Sequence, residues 1–332
     1  MEALQQFARR SFSILLFFFL LYCFILLEPN KLSFHIPESL LNVNTIFLSI
    51  LLESIPFIML GIFFSSCIEF FVSDEWMTKW IVKNPYGAIG SAVVISILSP
   101  VCECAVIPVV RRLIQKGLPL HVGSVILVGA PILNPIVILS TYYAFSKHLE
   151  LVYARIGLAV VICIITGLMT YWIFGNKNML KPHKTDALPE HSLKQQNGKR
   201  LKPIVTHAVE EFFDMGRYLI MGAFIASLFQ TFLNRGALAE LGTSDLSGSA
   251  VMMGLAFVLS LCSHADAFVA STFSGTYSHA SLLSFMLYGP MLDLKNTFVY
   301  ASFFKKRFVF VLSIVISASV LAIAWLYGLI TA

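Results

Sequence analysis

At residues 98–104 the chain reads LSPVCEC, and this stretch lies in the middle of an apolar run that extends from residue 86 to residue 113. Ser99 can cap the N-terminus of a helix, and Pro100 fits the first position of that helix. We therefore expect the run to break into two helical halves at this point. A broken segment can either cross a membrane or turn back to the side from which it came, and the fold depends on which of the two occurs.

The composition of the whole chain is that of a membrane protein. Of its 332 residues, 58% are hydrophobic and 12% are charged, whereas an average soluble domain is about 25% charged. This shortage of polar surface argues against a soluble enzyme, a disordered tail and a secreted disulfide scaffold. Nine apolar segments are candidates for membrane spans; they are residues 11–28, 43–72, 86–113, 120–145, 151–175, 204–233, 249–273, 280–304 and 307–330.

The positions of Lys and Arg decide between crossing and turning back. If all nine segments cross from a cytoplasmic N-terminus, nine of these residues lie inside and eleven outside, against the positive-inside rule. If the segments 86–113 and 249–279 each enter and leave on one side, seventeen lie inside and three outside. The sequence thus predicts an all-α polytopic membrane protein with about seven crossing helices and two re-entrant or broken segments, rather than the eight or nine crossings of simple hydropathy.

One long polar connection divides the chain. Residues 176–203 are polar and charged, and we predict that they form a flexible linker on the cytoplasmic side. Repeat 1 (residues 43–175) precedes it and repeat 2 (residues 204–332) follows it. Residues 1–30 are predicted to be a retained N-terminal anchor helix, because no small-x-small cleavage site follows their apolar run.

The two repeats resemble each other in the order of their unusual residues. Each would contain three crossing helices and one re-entrant segment, and an odd number of crossings inverts the second repeat relative to the first. Inverted repeats whose broken segments meet near the midplane are a transporter architecture. The matching pairs, at offsets that fall from 161 to 153, include Glu53 with Asp214, Gly61 with Gly222, Cys102 with Cys262, Pro131 with Pro290, Asn134 with Asp293 and Trp172 with Trp325.

The predicted tips of the re-entrant segments carry residues with ligand chemistry. Those that we expect to bind the substrate are Cys102, Glu103, Cys104, Cys262, His264 and Asp266. Thiols, an imidazole and carboxylates together suit a soft or borderline species such as Zn²⁺, Cu(I) or a trivalent metalloid, and a metal cargo would be held by Cys102, Cys104 and His264. A structural interpretation stays open, in which the cysteines are small buried hydrophobes, His264 is a satisfied core residue and Asp266 is a helix cap.

Two further breaks interrupt the fourth and eighth apolar segments. The first reads GAPILNP at residues 129–135, and the second reads YGPMLDLKN at residues 288–296. A proline inside a crossing helix frees backbone carbonyls that can line a site. Pro131, Asn134 and Asp293 are therefore added to the predicted substrate-binding residues.

Three ionisable residues are predicted to couple transport to a proton or another cation. Glu53 and Asp214 occupy equivalent positions in the opening helices of the two repeats, and Lys295 lies in the last break. Charged groups at membrane depth are costly and usually face a pathway. Lys295 has the alternative role of a structural partner for Asp293.

At this point the sequence resembles a known family, the ArsP/YraQ-like predicted permeases. The resemblance covers nearly the whole chain from about Glu53 onward and is carried by SPVCECAVIPVVRRLIQKGLP, VGAPILNPIV, CSHADAF and YGPMLDLKN. It implies a multi-pass permease of the bacterial inner or plasma membrane. It further implies a family in which some members export trivalent organoarsenicals, most have no established substrate, and some work with a second small membrane subunit.

The residues and the resemblance together favour a secondary transporter of a small solute such as a soft metal ion, a metalloid or an organoarsenical. Its expected partners are the lipid bilayer, the solute or ion and a second membrane subunit; no cofactor and no nucleic acid are expected. The alternatives are a permease subunit without transport of its own, and an intramembrane thiol redox enzyme that uses Cys102 and Cys104. Against an enzyme, the cysteine spacing is C-x-C rather than C-x-x-C, and the sequence contains neither H-E-x-x-H nor a Walker motif.

Overall fold

The computed structural model describes residues 38–71, 84–175, 177–181, 201–232 and 245–331, which form a bundle of helices. The predicted anchor helix, residues 1–30, lies outside the described residues. In chain order the helices are α1 (Glu38–Phe71), α2 (Pro85–Leu98), α3 (Glu103–Gln115), α4 (Leu120–Leu133), α5 (Pro135–Ala144), α6 (Leu149–Phe174), α7 (Leu201–Phe232), α8 (Asp245–Leu259), α9 (Asp266–Thr272), α10 (His279–Met291), α11 (Leu294–Phe303) and α12 (Lys306–Thr331).

Much of the bundle is long and apolar enough to cross a membrane. Within the described residues five stretches qualify: Ser39–Ser66, Leu120–Ala144 (α4 with α5), Leu149–Phe174, Glu211–Phe232 and Lys306–Ile330. Two shorter helices, α2 and α8, are also apolar. This composition and architecture confirm the prediction of an all-α polytopic membrane protein.

The first half of the run at residues 86–113 is α2, and it lies parallel to α4. Gly167 of α6 marks one height in the bundle, where a methyl group placed on it would lie 2.6 Å from Val125 of α4 and 3.1 Å from Ile89 of α2. Further along both helices, a methyl group on Gly129 of α4 would lie 3.0 Å from the Oγ of Ser96. Because both residue numbers rise together between these contacts, α2 and α4 point the same way.

The second half of the run is α3, and it lies antiparallel to α4. A methyl group on Gly123, near the start of α4, would lie 2.7 Å from Ile114 and 3.2 Å from Val110, near the end of α3. The start of α2 and the end of α3 therefore both lie beside the start of α4. The broken run folds back on itself as a hairpin, as the charge argument predicted.

The corresponding run in the second half of the chain has the same design. Ser284 Oγ of α10 donates to the carbonyl of Ser249, near the start of α8, at 3.1 Å. Gly289 of α10 lies beside Ala256, near the end of α8, so these two helices are also parallel. The short helix α9 follows, and residues 273–278 turn the chain from α9 into α10.

The helices that close the two halves run in opposite directions. The rings of Phe174, at the end of α6, and Phe308, at the start of α12, have centroids 5.7 Å apart. At the other end of the pair, Glu150 at the start of α6 lies near Tyr327, close to the end of α12. Because α6 and α12 occupy equivalent positions in the two repeats and run antiparallel, the second half is inverted relative to the first.

One end of the bundle collects the positively charged connections. The backbone N–H of Lys181 donates to the carbonyl of Phe303, and the N–H of Lys305 donates to the carbonyl of Met179, each at 2.8 Å. The guanidinium carbon of Arg111, near the end of α3, lies 4.7 Å from the centre of the Phe303 ring. The start of the linker, Lys305 and Arg111 therefore share one side, which agrees with the hairpin arrangement and not with nine crossings.

The opening helices of the two halves pack on each other and on α3 and α11. The rings of Phe47 and Phe224 meet edge to face with centroids 6.1 Å apart. A methyl group on Gly61 would lie 2.6 Å from the Cα of Ala105, and one on Gly222 would lie 2.9 Å from the Cα of Lys295. The two repeat-related glycines thus let α1 and α7 approach the starts of α3 and α11, whereas α5 and α9 have no comparable contact with them.

Candidate functional site

The first break in the chain lies where the sequence predicted it, but α3 begins later than expected. Ser99 closes α2, because its backbone N–H donates to the carbonyl of Ile95 at 3.0 Å. The N-cap of α3 is Cys102, whose carbonyl accepts the N–H groups of Ala105 and Val106. The expectation that Ser99 caps the second half-helix is therefore wrong, and residues 99–102 form the non-helical tip.

A buried charge cluster joins the start of α3 to the start of α11. The ammonium nitrogen of Lys295 lies 2.6 Å from Oε1 of Glu103 and 3.2 Å from Oδ2 of Asp293. It also donates to the carbonyl of Ser260, in the second tip, at 2.9 Å. All three charged side chains are at most 3% exposed. One cation from the second half therefore holds a carboxylate of the first half, a carboxylate of its own helix and the tip of the second hairpin.

The two later breaks use the same local device. Asp293 caps α11, with Oδ1 accepting the N–H of Asn296 at 2.7 Å. Asn134 caps α5, with its side-chain oxygen accepting the N–H of Ile136 at 2.9 Å. Pro131 is buried in the last turn of α4. The caps are equivalent, but only Asp293 has a second oxygen that faces Lys295.

A small cavity lies beside this cluster, with free space for about one water molecule. Its lining residues come from α1, from both tips and from the two helices that start at the centre; they are Glu53, Ser54, Phe57, Cys102, Glu103, Cys104, Cys262 and Lys295. Glu53 is exposed at the edge of this cavity. His264 is half-buried next to it, with Nδ1 3.3 Å from the sulfur of Cys262. Most of the residues predicted from the sequence are thus in one place.

Asp266 belongs to a second, separate cluster. Its two carboxylate oxygens accept from both terminal nitrogens of Arg155, at 2.6 and 3.2 Å, and Arg155 also donates to the hydroxyl of Thr141 at 2.6 Å. All three side chains are buried. Asp266 is the first residue of α9, and both of its carboxylate oxygens bind Arg155. Its role therefore extends beyond that of a helix cap.

Arg155 was not predicted to be a site residue. Its signal in the sequence is a lone arginine inside the apolar segment 151–175, where an ionisable group is expensive and needs a partner. Arg155 comes from the first half and Asp266 from the second, so this pair also joins the two halves. Each hairpin therefore presents an acid in the first turn after its break, Glu103 or Asp266, to a cation of the other half.

The remaining predictions about the site are not tested by this arrangement. The side chain of Asp214 lies outside the described residues, although its backbone is part of α7. In the described part of the chain, no group of three or more His, Cys, Asp and Glu side chains is placed to hold a metal ion. Cys102, Cys104 and His264 as metal ligands therefore stay a prediction. The thiols of Cys102, Cys104, Cys163 and Cys262 are free and buried.

Comparison with known proteins gives the chain a family context. The family described as "Predicted permease" (ArsP_1) matches residues 39–329. The chain is 46% identical over 291 residues to the UPF0718 protein YcgR of Bacillus subtilis strain 168, a match that covers 86% of this chain and 96% of that protein. It is 36% identical over 275 residues to a Streptococcus mutans serotype c protein named as a two-component membrane permease complex subunit, covering 83% and 91% respectively. No solved structure matches it.

Proposed function

Since this chain belongs to the predicted permease family, we propose that it is a secondary transporter that moves a small thiophilic or cationic solute through the cavity between its two hairpin tips. The solutes that fit this chemistry best are a soft metal ion, a trivalent metalloid and an organoarsenical. The membrane would be the bacterial plasma membrane, with the linker at 176–203 in the cytoplasm. The excess of Lys and Arg at the end that holds Arg111 and the start of the linker supports this orientation.

The observation that carries the proposal is the lining of the central cavity. Three cysteines, Cys102, Cys104 and Cys262, line it from both halves of the chain, together with Glu53 and Glu103. Thiolate sulfur is the preferred ligand of Cu(I) and of other soft species. A cavity at the meeting point of two inverted hairpins is also where transporters of this architecture bind their substrates.

Lys295 supplies a mechanism for binding and release. Its ammonium group lies 2.6 Å from Glu103 and therefore occupies the carboxylate that a cationic cargo would use. A cargo that binds the thiols and Glu103 would compete with Lys295, which can remain paired with Asp293 at 3.2 Å. Departure of the cargo would let Lys295 return to Glu103. Glu53 at the cavity edge, and Asp214 at the equivalent position of α7, would supply the proton or cation exchange that drives the cycle.

Pro131, Asn134, His264 and Asp266 would contribute less directly. His264 contacts Cys262 and can orient its thiol. Asn134 and Pro131 shape the break between α4 and α5. Asp266, paired with Arg155, would hold the second hairpin against the first half while the cargo is bound.

A second candidate function is a subunit that needs a partner for transport. The Streptococcus mutans relative is named as a subunit of a two-component membrane permease complex. By that relationship this chain would form the path, and a second membrane subunit would complete or energise it.

Transport by reconstituted vesicles would test the proposal. Purified protein in liposomes should accumulate a trivalent phenylarsenical, Cu(I) or Zn²⁺ under an imposed proton gradient. Cys102→Ser, Cys104→Ser and Cys262→Ser should each lower the rate about tenfold or more, because serine oxygen is a poor ligand for soft species. Cys163→Ser is the matched control, since Cys163 is a free buried thiol outside the cavity lining.

The outcomes separate the two candidates. Flux that is equal in all four serine variants would show that the thiols do not bind the cargo. Flux that begins only when a second membrane subunit is reconstituted with the chain would favour the two-component function. No flux of any of the probes, with or without that subunit, would exclude this solute class.

A further inference from the structure

The helices α3 and α11 run side by side from the centre of the bundle to its positively charged end. Glu103 contacts Lys295 at their starts, and Arg111 lies over the ring of Phe303 eight residues further along each helix. The two helices are therefore parallel over a length of about 12 Å. Their interface joins the central cavity to the side of the bundle where the linker begins.

Polar side chains on α3 and α11 lack hydrogen-bond partners among the residues that the structure describes. The amide nitrogen and oxygen of Asn296 have no hydrogen-bond partner among the described residues. The hydroxyl of Tyr300 and Oε2 of Glu103 also have none there. Asn296 and Tyr300 are each 1% exposed. Burying such groups without partners is costly. Buried water molecules commonly supply the missing bonds, about three per water.

The unsatisfied groups lie along one line. Asn296 and Tyr300 follow Asp293 by three and seven residues, so the three side chains share a face of α11. Along α11 both residues lie between Lys295, which contacts Glu103 of α3, and Phe303, which contacts Arg111 of α3. Polar groups therefore continue from the central cluster along the α3–α11 interface toward Phe303.

An ion pair stacked on an aromatic ring lies at the outer end of this line, and we call the Arg111–Glu211 pair and Phe303 the plug. Arg111 pairs with Glu211 of α7 at 3.3 Å and lies over the Phe303 ring, and Arg112 lies 3.8 Å from the other oxygen of Glu211. Arg111 and Glu211 are each about 2% exposed on their side chains. A buried ion pair stacked on an aromatic ring can seal a narrow path while leaving charged groups ready to meet water when it opens.

The opposite pair of central helices, α5 and α9, lies beside an ion pair instead. There Asp266 uses both carboxylate oxygens on Arg155, and Arg155 also binds Thr141. Among these three side chains only Nε of Arg155 lacks a hydrogen-bond partner in the described part of the chain, so this side holds fewer unsatisfied atoms than the α3–α11 side. The two sides of the central cavity are therefore different: a two-bond ion pair joins α9 to α6 on the α5–α9 side, and several unsatisfied polar groups lie on the α3–α11 side.

We propose that a file of water molecules fills the α3–α11 interface, from Glu103 and Lys295 past Asn296 and Tyr300 to the Arg111–Glu211 plug, and forms a proton-conducting half-channel. Water bound to Asn296 and Tyr300 supplies a continuous chain of hydrogen bonds along which protons move. The plug controls the chain, since Phe303 and the Arg111–Glu211 pair separate it from the aqueous phase. This function does not depend on the identity of the cargo, so it can be tested even if none of the soft solutes is transported.

Proton leak through liposomes tests the half-channel. Vesicles with an imposed pH gradient, valinomycin and potassium for charge balance, and an internal pH-sensitive dye should hold the gradient with the wild-type protein. Phe303→Ala should raise the leak rate about tenfold or more, because it removes the ring of the plug while the other end of the file meets the central cavity, whose edge at Glu53 is already exposed. Adding Asn296→Leu and Tyr300→Phe to Phe303→Ala should return the leak to the wild-type rate, because the polar lining is lost.

A matched aromatic substitution provides the control for the leak. Phe308→Ala removes another fully buried ring, which packs on Phe304 and Phe174. An equal leak from Phe308→Ala would show that any cavity in this region passes protons. A leak from Phe303→Ala that survives Asn296→Leu and Tyr300→Phe would also overturn the proposal.

Radiolytic hydroxyl-radical labelling tests the water file in the unmodified protein. Radicals made from bound water oxidise side chains next to that water, including buried ones. Tyr300 should be oxidised faster than Tyr288, although Tyr288 is 8% exposed and Tyr300 only 1%. Tyr288 is a fair reference, because its hydroxyl is satisfied by Ser317 at 2.9 Å. Labelling of Tyr300 at or below the rate of Tyr288 would exclude a water file at this position.

Discussion

Lys295 carries one positive charge between the carboxylates of Glu103 and Asp293, in surroundings with almost no solvent. Ion pairs of this kind contribute little net stability compared with apolar packing, but removing one partner leaves an uncompensated buried charge. The cluster therefore depends on Lys295 more than on any other member. This dependence follows from geometry rather than from residue type, since Lys305 and Lys306 at the start of α12 are exposed.

Replacing Lys295 by alanine is expected to destabilise the protein by about 3–5 kcal/mol. Lys306→Ala, at an exposed position, should change stability by less than about 0.5 kcal/mol. Thermal unfolding of the detergent-purified variants measures the difference. In the Lys295→Ala background, Glu103→Gln should recover part of the loss, because it removes one of the two stranded carboxylates. Equal stability of Lys295→Ala and Lys306→Ala would contradict this account of the cluster.

The individual members of the site could be predicted from the sequence, but their partners could not. Glu103, Asp293 and Lys295 are ionisable residues inside apolar segments, and that alone selects them. Pairing of Lys295 with Asp293 was foreseeable because they are neighbours. Its shorter contact with Glu103, and the contact of Asp266 with Arg155, depend on how helices distant in sequence pack together. No local pattern encodes that packing.

At the scale of the helices, two glycines set how closely the opening helices approach the site. Gly61 lets α1 lie against Ala105 of α3, and Gly222 lets α7 lie against Lys295 of α11. Small residues at such crossings are typical of membrane helices, where close backbone packing replaces the hydrophobic effect. The repeat in the sequence pointed to both glycines, although the reason for them, close contact with two helices that start at the centre, is visible only in the structure.

Gly61→Ala is expected to destabilise the protein and to lower transport, because the new methyl group would lie 2.6 Å from the Cα of Ala105 and force α1 away from α3. The matched control is Gly157→Ala in α6, where a methyl group would meet nothing within 4 Å. There the substitution should be neutral or stabilising by up to about 1 kcal/mol, since alanine favours helix. Melting temperatures and flux of the two variants check this. A comparable loss in both would mean that helix propensity, not close packing, dominates.

The breaks show how far local sequence rules reach. Serine and proline at positions 99 and 100 located the first break correctly, but the new helix starts only at Glu103. The Ser99 N–H bonds back to Ile95 and so completes α2 instead of opening α3. Asn134 and Asp293, in contrast, act as caps at positions where the sequence shows only a proline-containing break.

At the scale of the whole molecule, the charges and the helix directions give the same topology. Arg111, the residues 177–181 and Lys305 lie at one end of the bundle. The loop between α5 and α6 is placed elsewhere, because His148 contacts His279 at the start of α10, with ring centroids 5.3 Å apart. The inversion could be predicted because the positive-inside rule acts on the whole chain, one loop after another.

Accessibility labelling should reproduce this sidedness. Single cysteines introduced as Lys181→Cys and Lys306→Cys are expected to react with a membrane-impermeant maleimide from the same side of the membrane. Lys147→Cys, in the loop between α5 and α6, should react only from the opposite side. Inside-out and right-side-out vesicles make the comparison direct. Labelling of Lys147→Cys and Lys306→Cys from one common side would refute the inverted arrangement.

The two inverted repeats have different conformations. The opening helices α1 and α7 pack on α3 and α11, but they do not pack comparably on the repeat-equivalent helices α9 and α5. Exchanging the two arrangements would generate a second conformation built from the repeat-equivalent contacts, α1 with α5 and α7 with α9, and open toward the other side of the membrane. We expect the protein to alternate between these two conformations by a rigid-body movement of the α1–α7 pair. Spin labels at Leu52 of α1 and Tyr143 of α5, both exposed, should then report two separate distances. A single distance under every condition would show that the α1–α7 pair does not move.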